Sequence, residues 1–157
     1  MTRTTLNQIK VELERLADAH KFVGTFFFGE PQRAVKELKV VYPLMCAYVE
    51  SMQMRDNQTE IGIRLIVCDQ VDKDWSVNVD EVLSDTASTC RDIFRVLNKS
   101  RFWTGIGRVE GNPMFSPFLP DEGNQDYVAG NHGLINFTLR DEGRLCDLPI
   151  DDNYDLK

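Results

Sequence analysis

Residues 78–98, NVDEVLSDTASTCRDIFRVLN, decide how the rest of the chain is read. Val79, Leu83, Ala87, Cys90, Phe94 and Leu97 recur in steps of three and four, one apolar stripe on a helix of about five turns. Asp80, Glu81 and Asp85 stand in its opening turns and Arg91, Arg95 and Lys99 towards its end, so both ends complement the helix dipole. A helix with one apolar face must be laid on another element. The β-rich segments on either side are the candidates.

Upstream, Leu6, Ile9, Leu13 and Leu16 predict an amphipathic helix from Leu6 to His20, with Thr5 as its N-cap. His20 falls in the last turn, where positive charge is favoured, and reads as a helix-end residue rather than a catalytic one. Residues 22–28, FVGTFFF, read as a strand stopped by Gly29-Glu30-Pro31, with Phe22, Phe26 and Phe28 facing the core. Residues 31–38 are polar and read as a connection. A second strand, 39–49, is interrupted by Pro43, which cannot donate to a ladder and so marks an edge or a bulge. Residues 50–59 read as a polar hairpin loop.

The third strand, 60–69, is apolar on both faces in its second half, as expected for a central strand or one buried by a partner. Beyond the long helix, residues 127–140 alternate as a fourth strand entered through a bulge at Gly130 to Gly133. The order α-β-β-β-α-β predicts an α+β fold: a two-layer sandwich, with an antiparallel four-stranded sheet and two helices on one face. The whole chain, 1–157, reads as a single domain with a C-terminal extension over 141–157.

Residues 100–126 are long, irregular, and rich in proline and aromatic side chains. They read either as an arm that packs on a partner or as a satellite core under a long loop. Trp75 lies in a charged connection and is either a contact anchor or a residue folded back on the sheet.

The net charge of −7 argues against a nucleic-acid binder. No apolar run approaches a membrane span, and the opening residues lack the apolar core of a signal peptide, so the expectation is a product made soluble inside the cell. Cys46, Cys68, Cys90 and Cys146 are far apart and without C-x-x-C spacing, which predicts buried thiols rather than a metal site or disulfides. Two histidines, His20 and His132, make a thin inventory for catalysis, and His132 in Gly-Asn-His-Gly reads as a turn or bulge residue. The clusters Asp69, Asp72, Asp74 and Asp151, Asp152, Asp155 lack the glycine and terminal glutamate of an EF-hand and read as solvated acids. The expectation is no catalytic residue, no cofactor and no metal.

TTLNQI near the start, YPLM (Tyr42 to Met45), EVLSDT (Glu81 to Thr86) and the segment Cys146 to Ile150 together resemble a family of small virion proteins of tailed bacteriophages, including the crAss-like phages of Bacteroides. Its members are tail-terminator, tail-completion or neck ring components. The resemblance implies an α-β-β-β-α-β fold and no catalytic residues. It implies a six- or twelve-fold ring of identical subunits at the head-to-tail junction, contacting neighbouring neck, portal or tail proteins. DNA would pass through the channel without specific binding, and no membrane is involved. The expected location is the virion neck or tail, and the host cytoplasm during assembly. The segment between the long helix and the last strand is longer here than in that family. Trp75, Phe102, Trp103, Phe115 and Phe118 are the expected subunit-interface anchors. The alternative is a small non-catalytic protein-binding module encoded by phage or host.

Overall fold

The strand β3 (Gln58–Gln70) is the centre of the molecule. The computed structural model describes residues 6–55, 58–71, 78–99, 107–110, 114–119 and 127–140. It places antiparallel partners on both sides of β3, namely β2 (Leu44–Arg55) and β6 (Val128–Arg140). Outside β2 lies β1 (Thr25–Phe28); outside β6 lie β4 (Gly107–Glu110) and β5 (Ser116–Phe118), end to end on one flank. Among the described residues, three helices accompany this six-stranded sheet: α1 (Leu6–Ala19), α2 (Pro31–Glu37) and α3 (Val79–Lys99). No helix among the described residues is long and apolar enough to cross a membrane.

The α+β class read from the sequence holds, and its details change. The sheet is mixed, because β1 and β2 run parallel from Thr25 opposite Leu44 to Phe28 opposite Ala47. Parallel neighbours need a crossover, and the segment expected to be a plain connection supplies one in α2. Pro31 opens that helix, and Arg33 reaches Glu37 one turn on (3.0 and 3.1 Å). Only Ala34 is buried, so seven residues carry no periodicity by which to recognise it. The two-layer description also changes, since α2 lies on the face opposite α1 and α3. It packs there with Leu44, Cys46 and Cys68.

The expected hairpin loop over 50–59 is mostly strand, as β2 continues to Arg55 and β3 resumes at Gln58. Residues 50–55 are exposed and have no core to face, so their largely polar side chains resemble those of a loop. Pro43 precedes β2, with a cis Tyr42–Pro43 peptide. Its carbonyl accepts from the amides of Gly24 (2.8 Å) and Thr25 (3.3 Å). The bulge in β2 falls instead between Val49 and Ser51. Conversely, β6 pairs with β3 without a slip from Val128 to Arg140, so the Gly130–Gly133 bulge does not form. Those glycines serve packing: a Cβ on Gly130 would strike the Val67 backbone, and one on Gly133 would strike the Phe115 ring.

The main core lies between the sheet and the two long helices. Ile9, Leu13 and Leu16 of α1 and Ile93 and Leu97 of α3 share one cluster with Met45 and Ala47 of β2 and with Ile61, Ile63, Leu65, Ile135 and Phe137. Phe26 and Phe28 pack against this cluster and Phe27 against the opposite one, as alternation requires. Phe22 lies outside β1 and is partly exposed.

The buried face of α3 is rotated from the expected stripe, to Val82, Thr86, Thr89, Cys90, Ile93 and Leu97. Two threonines occupy its middle because their hydroxyls bond back to the helix, Thr86 to the Val82 carbonyl (2.6 Å) and Thr89 to that of Asp85 (3.0 Å). Cys46, Cys68 and Cys90 are buried thiols. Burial pushes the Cys90 thiol up to about 12. Cys146 lies outside the described residues.

Candidate functional site

The sheet face opposite the long helices carries a groove of about 600 Å³. Tyr48, Arg64, Ile66 and His132 line its middle, with Pro31 at the start of α2 on one side and Phe118 of β5 on the other. Strand alternation puts Arg64 and His132 here. Each has the opposite parity to the core residues Ile63, Leu65, Ile135 and Phe137 on its own strand.

Glu50, the bulged residue of β2, completes the arrangement. Its carboxylate takes two hydrogen bonds from the Arg64 guanidinium, from Nε and from Nη2 (2.7 Å for the latter), and Arg64 Nη1 lies 3.3 Å from His132 Nδ1. The hydrogen bonds from Arg64 hold the Glu50 carboxyl below the usual carboxylate range. They hold the Arg64 guanidinium above its ordinary value. Both groups are thereby fixed in their charged forms, the reverse of what a general acid or base near neutrality needs. The Phe118 and His132 rings stand 6.2 Å apart, tilted by 44°. This cluster braces the bulge, β3 and β6, and gives the groove one fixed cation paired with one fixed anion.

Sequence reasoning missed Glu50 and Arg64 and read His132 as a turn or bulge residue. Arg64 looks like the solvent-facing residue of an alternating strand, and nothing local reveals which residues it meets across the ladder. The period-two parity of 128–140 was the available signal for His132. His20 has the structural role expected of it: just past α1, its Nδ1 accepts from the Phe22 amide (3.2 Å), and its Nε2 lies 3.5 Å from Asp92 on α3.

Of the five expected interface anchors, Trp75, Phe102 and Trp103 lie outside the described residues. Phe115 and Phe118 are half-buried within their own chain and are not brought together. Phe115 packs on the helix-side core beside Gly133, while Phe118 packs on the opposite cluster. The described parts of the 100–126 segment include β4 and β5, which pair with β6 of the same chain. Asp69 is half-buried at the end of β3, where burial raises its carboxyl and the Gln70 amide donates to it (2.8 Å). Asp72, Asp74, Asp151, Asp152 and Asp155 lie outside the described residues. Among the described residues no group of three or more His, Cys, Asp or Glu is arranged to hold a metal ion.

The outer flank of β2 is a second feature that sequence reading missed. β1 covers only Leu44 to Ala47, and among the described residues no strand pairs with this flank from Tyr48 to Arg55. Met52 and Met54 stand there 46% and 76% exposed. They come onto the helix-side face because the bulge reverses the parity set by Met45 and Ala47.

No protein-family model and no curated protein sequence matches this chain.

Proposed function

We propose that this chain is a non-catalytic assembly protein, a subunit of a homo-oligomeric ring at the head-to-tail junction of a tailed phage. The observation that carries the reading is the openness of its sheet. One flank is formed by β1 and the exposed part of β2, the other by β4 and β5. A head-to-tail contact joins two unlike surfaces of one subunit, and a sheet ending in two unlike edges offers such a pair. Leaving out the short α2 and the flanking β4 and β5, the element order is α-β-β-β-α-β, the order that the resemblance implies. The acidic balance of the chain suits a channel through which DNA passes without adhering.

Two surfaces that could have served such a contact are engaged inside the subunit. The apolar second half of β3 is covered by β2 and β6, and Pro43 is tied to the start of β1. The ring contact therefore falls to the sheet flanks and to the 100–126 segment.

The groove beside Arg64 and His132 favours a second reading, a module that binds one partner protein. Solution mass by light scattering, with negative-stain images of the same fraction, separates the two. The ring reading expects a closed ring of six or twelve subunits. A monomer that is also absent from purified phage particles overturns it in favour of the binding module.

A further inference from the structure

The exposed end of β2 reads Glu50-Ser51-Met52-Gln53-Met54-Arg55, acidic at one end and basic at the other. Its outer backbone groups have no strand partner among the described residues. We infer that this edge docks on the same edge of a second copy of the chain, as an antiparallel β2–β2 pair about a two-fold axis at Gln53.

Three observations select this occupant and this register. In an antiparallel pair, residues directly opposite share a face, so a self-pairing strand must be centred on a residue. Centring on Gln53 sets Met52 of each copy opposite Met54 of the other, gathering four exposed methionine side chains on the helix-side face. Gln53 then meets the second copy's Gln53, and Ser51 meets the second copy's Arg55. That brings each exposed Arg55 towards the Glu50 end of its neighbour; within its own chain Arg55 has Glu60 at 3.6 Å. Finally, β1 of neither copy obstructs this register. Each β1 stops level with Ala47, and Ala47 of the second copy falls beyond the last residue of β2.

Direct pairing of β2 with the opposite flank of another copy lacks this fit. β4 and β5 form one line along β6, and β5 stands at the level of β1: Phe118, Gly130, Cys68, Leu44 and Thr25 share one row across the sheet. A copy bringing β4 level against β2 would drive its β5 into β1. The two-fold contact is thus distinct from the head-to-tail contact of the ring, which on this flank would be left with β1 alone, against β4 and β5 on the other. It does not rest on the ring reading. Together the two contacts would build an assembly with an even number of subunits.

The test is oxidative cross-linking of Gln53→Cys in a Cys146→Ser background, the other three thiols being buried. Opposed Cα atoms in an antiparallel pair are roughly 4.5–5.5 Å apart, within the span of a disulfide. The expected result is a covalent dimer, formed at least about tenfold faster than with Arg33→Cys, an exposed control on α2. Ser51→Cys and Arg55→Cys should each stay uncoupled alone and form a heterodimer when mixed. Gln53→Cys that couples no faster than the control overturns the inference, as does a mixture of the other two that fails to couple. If light scattering still reports a ring in that case, the ring reading survives without this edge. If Gln53→Cys couples but the mass never exceeds a dimer and the protein is absent from purified phage particles, the edge stands and the ring falls.

Discussion

Asn131 of β6 donates from one amide nitrogen to both the Thr86 hydroxyl (2.9 Å) and the Leu83 carbonyl (2.9 Å) of α3. The Thr86 hydroxyl in turn donates to the Val82 carbonyl, so hydrogen bonds run unbroken from the sheet into the helix backbone. This tie fixes the rotation of α3 on the sheet and accounts for the polar centre of its buried face. Asn131→Leu leaves Thr86 without its donor and places a larger apolar side chain under the helix. A loss of about 1–3 kcal/mol is expected in urea denaturation. Adding Thr86→Val should cost less than the sum of the single losses, which a double-mutant cycle measures.

Gly133 and Phe115 form a second pair whose members need each other. Gly133→Ala puts a methyl group into the Phe115 ring, at an expected cost of about 1–3 kcal/mol for overpacking. Phe115→Ala in the same chain should recover part of that loss. If Phe115 served only a subunit contact, the two substitutions would add without coupling.

Asp69 carries a stability cost with a definite pH dependence. Burial, and then the nearby Asp85 carboxylate, raise its carboxyl in the fold, outweighing the amide of Gln70. A carboxyl raised on folding favours the protonated native state, so stability falls as pH rises through the window above the ordinary aspartate value. At neutral pH the cost is fully expressed. Asp69→Asn keeps an oxygen for the Gln70 amide and should raise stability at pH 7, by less than about 1 kcal/mol because the site is partly screened. The advantage should shrink as the pH is lowered into the ordinary aspartate range, which denaturation midpoints measured across pH would follow.

Met52→Lys together with Met54→Lys tests the β2 edge without touching the core. Both side chains are exposed, so the change in unfolding free energy should stay within about 0.5 kcal/mol. Lysine on an open edge discourages strand addition. Cross-linking through Gln53→Cys should therefore disappear while thermal unfolding of the subunit is unchanged.

How much of this was legible follows from which interactions are local. The stripe of α1 and the ends of α3 follow from spacing within one helix. The central place of β3 follows from its apolar second half, and the core-facing parity of Phe26 and Phe28 from alternation within one strand. Where a polar residue takes a core position, as Thr86 does, the apolar count slides the predicted face by one residue. α2 was invisible because seven residues with a single buried alanine have no period to detect.

The sequence by itself determined the α+β class, the two amphipathic helices and the strands with a core to face, because side-chain alternation and helical spacing act between near neighbours in the chain. Tertiary structure alone decided the parallel β1–β2 pair, the flanking places of β4 and β5, and the meeting of Glu50, Arg64 and His132. Those depend on pairing across long chain separations, where the partner is selected by which backbone edges and which side-chain volumes remain to be satisfied. The open β2 edge belongs to the same group. A strand is known to lack a neighbour only once every other strand has been placed.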